Sequence, residues 1–332
     1  MDVLSDAIAA MRTGRPHSAR AERSGQWAVR HPSFAGAGFH IVLQGSCRLT
    51  PEGGTPASLG PGDVVFLPHG SAHALSDGSP GPLPDSPPAP LTSLRDESRP
   101  GSSVVMLCGA YLLDGVRPHP LLGELPPVVH LPARAGQHAW LRSLVDLLGA
   151  ELTRRRPGTE AIVPALLDAL LTYLIRACLE QASGRHPVTG WGAALTDPAI
   201  TAALNRMHAD PARRWTVAEL AAAAGLSRSA FARRFTTLTG RPPLAYLGWW
   251  RMTLAARLLR QTDAPLSSLA RQTGYTSEYA FANAFKREYG IAPGRYRTMP
   301  QPALATPPAP RPPGTGNLQR DEEPGRQQST EM

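Results

Sequence analysis

The hydrophobic and polar positions divide the chain into an N-terminal part with strand periodicity and a C-terminal part with helical periodicity. From about Gln26 to Val129, short apolar runs such as FHIVLQG, PGDVVFLP and SSVVMLCGAYLL alternate with Gly and Pro turns. Closely spaced runs of this kind predict an antiparallel sandwich or a small barrel. Residues 77–102 interrupt the runs with Pro, Ser and charged residues. Because such a segment has little apolar surface to offset the entropy of ordering, we predict a mobile loop there.

Helical periodicity begins after Pro132. A first predicted helix has its apolar positions on one face, and a second has them on more than one side: Leu141, Leu144, Val145 and Leu148, then Ile162, Leu166, Ala169, Leu170, Tyr173 and Leu174. We predict that the second helix packs on the sheet and that residues 136–182 form a homodimer contact. The second helix contains Asp168 and Arg176, which argues against a membrane span.

The C-terminal part repeats one pattern, from Glu219 to Pro243 and again from Ser268 to Pro293. In each copy a short helical stretch runs into a glycine and then restarts as a second helix. The glycines are Gly225 and Gly274, and the second helices carry phenylalanine pairs, Phe231 with Phe235 and Phe281 with Phe285. A helix, a glycine-containing turn and a second helix are typical of the helix-turn-helix, whose second helix lies in the major groove of DNA.

The segment between the two copies, Leu244 to Thr262, is also helical in period. At roughly 1.5 Å per residue this connecting helix spans about 27 Å. Because successive major-groove faces lie about 34 Å apart, the helix predicts two recognition helices in neighbouring grooves on one side of the duplex. Local signals mark helix starts in this region: Asp197 before Pro198, the capping box of Thr216 with Glu219, and Ser227 ahead of the first recognition helix.

Charge separates the same two parts of the chain. Residues 191–299 contain 15 Lys and Arg against 6 Asp and Glu, so this region is basic while the remainder is nearly neutral. This asymmetry favours a polyanion-binding module joined to a domain with a different partner. Three scattered cysteines and an N-terminus without an apolar signal segment predict a cytoplasmic protein.

The C-terminal residues resemble the AraC/XylS family of bacterial transcription regulators, in which a long helix joins two helix-turn-helix units. The resemblance covers roughly Asp197 to Arg297 and includes GYTSEYAFANAFKREYGIAPGRYR, which begins at Gly274. The N-terminal half resembles the cupin-type sensor of a subgroup of these regulators. Its marker is PGDVVFLPHGSAHALSD, in which Gly62, Pro68, Gly70 and His73 have the spacing of the second cupin motif.

This resemblance implies a multi-domain α+β protein: a cupin-like antiparallel β-barrel with a helical appendage, then an all-α double helix-turn-helix. We predict a sensor at 1–132, a helical appendage at 133–183, a linker at 184–192, a DNA-binding domain at 193–299 and a disordered tail at 300–332; the linker and the tail are predicted from their composition. The resemblance also implies double-stranded DNA and RNA polymerase as partners, and a signal acting on the sensor. An alternative hypothesis is that the chain is a metal-dependent cupin enzyme with a helical scaffold domain.

The phenylalanine pairs fix which faces of the two recognition helices are free to meet DNA. In the first helix the opposite face presents Arg228, Ser229, Ala232 and Arg233, and the resemblance places the last three at base-facing positions. Arg233 is the predicted base reader, since arginine pairs with guanine in bidentate fashion, and Arg228 and Arg234 are predicted phosphate contacts. In the second helix the predicted contacts are Glu278 to cytosine, Tyr279 to a thymine methyl, Asn283 to adenine, and Lys286 or Arg287 to phosphate. The alternative is that the second helix chiefly anchors the DNA backbone.

The sensor half contains an incomplete version of the ligand set that cupins use for metals. If His40 takes the second histidine position of the first motif, Gly38 stands at the first and Gln44 at the carboxylate's, which leaves His40 and His73 as candidates. A metal site normally needs three or four donors. Cys47, Cys108 and His119 are candidates for a different set, for a metal ion or for a redox effector. The alternatives are a pocket for a small-molecule effector lined by ordinary side chains, or no small ligand, with Cys108 simply a small buried hydrophobic residue.

Overall fold

The computed structural model describes residues 2–12, 14–79, 89, 91, 104–113, 119–133, 139–154, 156–183 and 190–300. Most of the predicted mobile loop at 77–102, residues 184–189 of the predicted linker, and all but the first residue of the predicted tail lie outside the described residues. The strands are β1 His17–Arg23, β2 Ala28–His31, β3 Gly36–Gly45, β4 Cys47–Pro51, β5 Ala57–Leu59, β6 Val64–Leu67, β7 His73–Ser76, β8 Val104–Leu112 and β9 Val129–Leu131. The helices are α1 Val3–Met11, α2 Pro120–Gly123, α3 Ala139–Arg154, α4 Thr159–Ser183, α5 Gly190–Thr196, α6 Pro198–Ala209, α7 Val217–Ala223, α8 Arg228–Thr239, α9 Pro243–Gln261, α10 Leu266–Gln272, α11 Glu278–Tyr289 and α12 Pro293–Thr298.

The N-terminal strands form two antiparallel sheets, which confirms the predicted β architecture. One sheet has five strands in the order β1-β8-β3-β6-β9, and the other has four in the order β2-β7-β4-β5. Alternation along β3 separates two buried environments, because successive side chains of a strand point to opposite faces. Phe39 and Ile41 join the core that the helices cover, whereas Val42 joins the core that lies between the two sheets.

Helices α3 and α4 belong to the core on the outer face of the five-stranded sheet. The Tyr111 hydroxyl of β8 donates to the Leu167 carbonyl of α4 at 2.7 Å, and Arg12 after α1 pairs with Asp168 of α4 at 2.6 Å. By length and composition α4 is apolar enough to cross a membrane. Leu170 and Leu174 are nevertheless fully buried, so this face of the helix belongs to the protein core.

The C-terminal helices form two helix-turn-helix units, α7 with α8 and α10 with α11. The turns pass through Gly225 and Gly274 with φ of 66° and 79°, a left-handed conformation that favours glycine. The predicted capping box of Thr216 with Glu219 is present at the start of α7. One boundary differs from the sequence prediction. Helix α5 begins at Gly190, so the last three residues of the predicted linker at 184–192 are helical.

The two units differ in their cores. The first unit, with α5, α6 and the N-terminal half of α9, belongs to one hydrophobic core that is continuous with α1, α2, α3, α4 and the outer face of the five-stranded sheet. The second unit, with the C-terminal half of α9 and α12, has a core of its own. The first unit is therefore packed together with the sensor half, and the second is a separate apolar cluster.

Candidate functional site

The first recognition helix, α8, turns its phenylalanines inward and its charged residues outward. Phe231 and Phe235 are fully buried, as predicted. Ser227 caps the helix by accepting a hydrogen bond from the Ala230 amide at 3.3 Å. On the opposite face Arg228, Ser229 and Arg233 are exposed and Ala232 is half-buried. Among the ion pairs within the described residues, none includes Arg228 or Arg233.

Arg234 differs from its neighbours on α8 because it has a protein partner. Its Nε donates to the Asp197 carboxylate at 2.6 Å, and the guanidinium forms an ion pair with the same group. Asp197 also caps α6, since its Oδ1 accepts from the Ala199 and Ile200 amides at 3.0 and 3.1 Å. About half of the Arg234 side chain is exposed. To contact a phosphate, the Arg234 guanidinium must therefore either bind the phosphate and Asp197 at the same time or break its ion pair with Asp197.

The second recognition helix, α11, has the same inward pair and a different outer face. Phe281 and Phe285 are fully buried, and Ser277 caps the helix at the Ala280 amide at 3.1 Å. The predicted DNA contacts Glu278, Tyr279, Asn283, Lys286 and Arg287 are all exposed. Tyr279 is 78% exposed, which is unusual for a large aromatic side chain in a folded domain. Such exposure is expected for a ring that is free to meet a base or a sugar.

Helix α9 joins the two units, and Arg251 at its centre holds a loop of the first unit. Its guanidinium donates to the carbonyls of Pro211 at 2.6 Å and Arg213 at 2.9 Å. The turn of the second unit reaches the same place, since a Cβ added at Gly274 would lie 2.6 Å from the Ala212 carbonyl oxygen. The two units thus meet at this loop as well as through the 19-residue helix.

Two contacts connect the sensor half to the first helix-turn-helix unit. In the first, the carboxylate of Asp6 on α1 lies 3.4 Å from His208 Nδ1 on α6. His208 Nε2 lies 2.7 Å from the Tyr246 hydroxyl of α9, and its ring stacks on Trp250 at 3.8 Å. Burial lowers the pKa of His208 in spite of Asp6, so the ring is neutral at neutral pH and its Nε2 accepts from the tyrosine.

The second contact places His119, which caps α2, between two tryptophans of the DNA-binding half. Its ring meets Trp191 of α5 and Trp249 of α9 edge-on, at 4.8 and 5.1 Å between centroids. Burial lowers the pKa of His119 to about 3. Beside it, both carboxylate oxygens of Glu124 accept from the Trp191 amide, at 2.9 and 2.8 Å.

A cluster of three buried histidines lies between the two sheets of the sensor half. His31 and His73 are register partners on β2 and β7 of the four-stranded sheet, and His40 faces them from β3. The His40 and His73 Nε2 atoms are 2.7 Å apart, and one ligand atom from each ring lies within 4.8 Å of the others. Burial lowers the pKa of His31 to about 4 and that of His40 and His73 below the usual range, so all three imidazoles are neutral.

Two of the predicted sensor residues lie in this cluster, a third contacts it, and the remaining ones lie elsewhere. His40 and His73 meet, and Cys108, the cross-strand partner of His40, has its Sγ 2.9 Å from His40 Nδ1. The suggestion that His119 completes a set with the cysteines is wrong, because that residue lies at the contact with the DNA-binding half. Cys47 instead has Met106 Sδ at 3.8 Å from its Sγ.

The metal set of the cupin motif does not fit these residues. Gln44, at the carboxylate's position, is exposed, and a Cβ at Gly38 would meet the Leu91 side chain at 2.8 Å. Burial raises the pKa of Cys47 to about 12 and also raises the pKa of Cys108, so both thiols are protonated at neutral pH.

His31 is the functional candidate that sequence reasoning missed. It ends the strand-like run QWAVRH, outside the motif that marks the cupin resemblance. Its pairing with His73 spans more than forty residues of chain, and a pattern of local alternation does not reveal such a register. The available signal was weak: a histidine at the end of a short apolar strand.

A cavity lies between the five-stranded sheet and α3, next to residues of β3, β6 and β9. Its apolar wall includes Val42, Leu131 and Leu141, and Arg142 and Asp146 of α3 line it as well. None of the three clustered histidines is among the residues that line this cavity. A small molecule with an apolar body and a polar end matches such a lining.

Comparison with known proteins identifies both halves. A cupin family model matches residues 2–180, and a helix-turn-helix domain model matches residues 220–299. A putative AraC-like transcription regulator from Streptomyces lividans is 37% identical over 90% of this chain and 99% of its own. The regulator AlkR from Acinetobacter baylyi is 30% identical over 90% of this chain and 99% of its own.

Among solved structures, the DNA-binding domain of AdpA in complex with a target DNA is 35% identical to this chain. It matches 30% of this chain and 90% of its own, with a TM-score of 0.29. Sequence identity over nearly the full length of the relatives, together with the two domain models, decides the assignment. The chain belongs to the AraC-like family of DNA-binding transcription regulators and carries a cupin domain ahead of its helix-turn-helix region.

Proposed function

We propose that this regulator reads its operator with α8 and α11 in successive major grooves on one side of the duplex. The arrangement of two capped recognition helices on the single continuous helix α9 carries this proposal. At roughly 1.5 Å per residue α9 is about 28 Å long, close to one turn of B-DNA. The loop that Arg251 holds beside Gly274 gives the pair a second connection.

Arg233 is the proposed base reader of α8. It is exposed on the face opposite Phe231 and Phe235, so its guanidinium is free to pair with guanine O6 and N7. Ser229 and Ala232 lie on the same outer face, and the exposed Arg228 at the start of the helix is a proposed phosphate contact.

The outer face of α11 carries fewer cations and more polar readers. Tyr279 and Asn283 are the proposed base contacts, with Glu278 accepting from cytosine. Lys286 and Arg287 are the proposed phosphate contacts. Arg234 is a proposed phosphate contact that competes with Asp197, so its contribution is smaller than that of Arg228.

The test is operator binding by Arg233→Ala and Arg233→Lys. Lysine keeps the charge and loses the planar fork that pairs bidentately with guanine. Both variants should lose about 1–3 kcal/mol on the operator, and selectivity should relax at one base pair. Only the alanine variant should lose affinity for random DNA. Equal losses on every sequence by the alanine variant, with full operator binding by the lysine variant, would make Arg233 a phosphate contact.

We infer that the signal reaches DNA through the contacts of Asp6 with His208 and of His119 with Trp249. Both join the sensor half to the first unit, so a change in the sensor alters how α8 is held. A small-molecule effector in the cavity beside α3 would act on this same core, since Leu141 and Val145 belong to it. Regulation of this kind needs an effector that binds the two states with different affinity.

The proposed assembly is a cytoplasmic homodimer that acts together with RNA polymerase. The outer sides of α3 and α4 support the dimer, because Leu147 and Ile162 are 57% and 42% exposed there. Sedimentation of the purified protein at micromolar concentration should give the dimer mass, and Leu147→Glu should give the monomer. A monomeric wild type under these conditions would contradict the dimer.

A further inference from the structure

The three histidines between the sheets have ring orientations that organise a shared centre. His31 Nδ1 lies 2.7 Å from the Ala89 carbonyl oxygen, and His73 Nδ1 lies 2.8 Å from the Ser71 carbonyl oxygen. Because a carbonyl only accepts, each of these Nδ1 atoms carries the hydrogen of its neutral ring. The lone pair of each ring is therefore on Nε2, the atom that is turned away from these carbonyls.

His31 Nε2 is left without a partner among the described residues. The residue is only 2% exposed, and this atom is buried and has no hydrogen bond. A buried acceptor of this kind is costly to leave unsatisfied. Its position, within reach of the two other rings, indicates that a group absent from the polypeptide completes the arrangement.

The third ring is in a different tautomer. Since His73 Nε2 has a lone pair, the 2.7 Å contact requires the hydrogen to be on His40 Nε2. His40 Nδ1 then accepts from the Cys108 thiol at 2.9 Å. If the hydrogen of His40 moves to Nδ1, where it donates to the Cys108 sulfur, all three Nε2 atoms present lone pairs. The ring stays neutral in this change, so no proton is released.

We propose that His31, His40 and His73 bind one divalent transition-metal ion of the zinc type through their Nε2 atoms. Three neutral imidazoles with a vacant fourth position form a known zinc geometry, with Zn–N bonds of about 2.0–2.1 Å. Tetrahedral coordination separates two such nitrogens by about 3.3 Å, so His40 and His73 move apart by about 0.6 Å on binding. The backbone carbonyls at Ala89 and Ser71 are the outer partners that orient metal-binding histidines in proteins.

This site differs from the one that the cupin motif describes. Only His40 and His73 fall on motif positions, and His31 comes from a strand that precedes the motif. Cys108 is a positioning residue here, because it touches His40 and not the metal.

The test measures metal binding by the untagged full chain without DNA, so its result is independent of how the protein reads DNA. Metal-free protein is titrated with Zn²⁺ in competition with a chromophoric chelator. The wild type should bind one equivalent, and His31→Gln should weaken binding by on the order of 100-fold or more. His69→Gln is the matched control, since His69 bonds the Leu125 carbonyl at 2.9 Å outside the cluster and its loss should leave the affinity unchanged.

Two further measurements guard against misfolding. Metal-free His31→Gln should have the same circular dichroism spectrum as metal-free wild type. Co²⁺ bound to wild type should show the intense visible absorption of a tetrahedral site, which requires no variant. Cys108→Ala should weaken Zn²⁺ binding roughly tenfold and preserve that absorption. Absence of stoichiometric Zn²⁺ binding by wild type, or equal binding by wild type and a folded His31→Gln, would overturn the proposal.

Discussion

The two helix-turn-helix units are nearly the same in sequence pattern and differ in what surrounds them. Both have a serine cap, a buried phenylalanine pair and a left-handed glycine in the turn. The first unit shares its core with the sensor half, whereas the second has a core made of α9, α10, α11 and α12. The internal repeat therefore gives two units of the same fold, of which only the first shares a core with the N-terminal half. The difference agrees with our proposal that a signal in the N-terminal half reaches the first unit directly and the second only through the first.

The aromatic residues of α9 explain this asymmetry. Its N-terminal half carries Tyr246, Trp249 and Trp250, which are buried against His119 and His208. Its C-terminal half presents Met252, Ala255, Ala256 and Leu259, which belong to the core of the second unit. One helix thus contributes its aromatic rings to the core shared with the N-terminal half and its aliphatic side chains to the core of the second unit.

The largest difference between the two units should appear when a buried phenylalanine is removed from each core in turn. Phe231→Ala and Phe281→Ala both remove a fully buried ring, and each should cost about 3–5 kcal/mol of local stability. We expect Phe231→Ala to speed amide hydrogen exchange in the first unit and in α1, because they share a core. Phe281→Ala should speed exchange in α10 to α12 and leave α1 unchanged.

Exchange is read by mass spectrometry of peptides from each region. Wild-type protein at the same temperature provides the reference rates. Faster exchange in α1 after Phe281→Ala, equal to that after Phe231→Ala, would show that the two cores open as one unit.

Acid should destabilise the first unit and not the second, and His119 alone should account for about 2 kcal/mol of this difference. The pKa of His119 is about 3 in the folded protein and about 6.5 when unfolded, so below pH 6.5 only the unfolded state gains the proton. Stability then falls as pH drops from 6.5 towards 3, and one such histidine accounts for about 2 kcal/mol at pH 5. Residues 252–300 contain no histidine, so the second unit should not show this dependence.

His119→Asn isolates this contribution, because the amide oxygen can still cap α2 and does not titrate. Denaturant unfolding at pH 7 and pH 5 should show a loss about 2 kcal/mol smaller in the variant than in wild type. An identical loss in both proteins would mean that His119 is protonated in the folded state at pH 5.

Removal of the serine caps tests how similar the two recognition helices are, and its cost should be lower than that of the changes above. Ser227→Ala and Ser277→Ala each remove one side-chain cap of a recognition helix, and each should cost about 1 kcal/mol. The cost should be equal, since both serines bond the third residue beyond them. Thermal unfolding of the two variants checks this. A loss at Ser227 alone would show that the second helix is held by its neighbours and not by its cap.

Much of this fold could be predicted from local pattern. The phenylalanine spacing predicted the buried faces of α8 and α11, and the glycines at 225 and 274 predicted the turns, because both signals depend on residues only a few positions apart. The two sheets followed from alternating runs with turns between them. The DNA contacts themselves stay predictions, since exposure of Arg233 or Asn283 is necessary for contact and does not establish it.

The remaining features depend on long-range pairing. His31 meets His73 through a strand register, and His119 meets Trp249 across the two halves of the chain. No periodicity within either segment encodes such a partner. The assignment of His119 to the cysteines failed for this reason, because the argument considered residue type without register.

The hydrogen bonds of Arg251 to the loop at 211–213 limit the spacing of the promoter sequences that the two units can bind together. Helix α9 is continuous and the loop lies against Gly274, so the orientation of α8 is fixed relative to that of α11. One extra base pair between the two recognised sequences turns the distal sequence by about 34°. A promoter with a single inserted base pair should therefore lose the binding contribution of one recognition helix. Insertion of a whole helical turn should not restore it, because the distance between α8 and α11 is fixed.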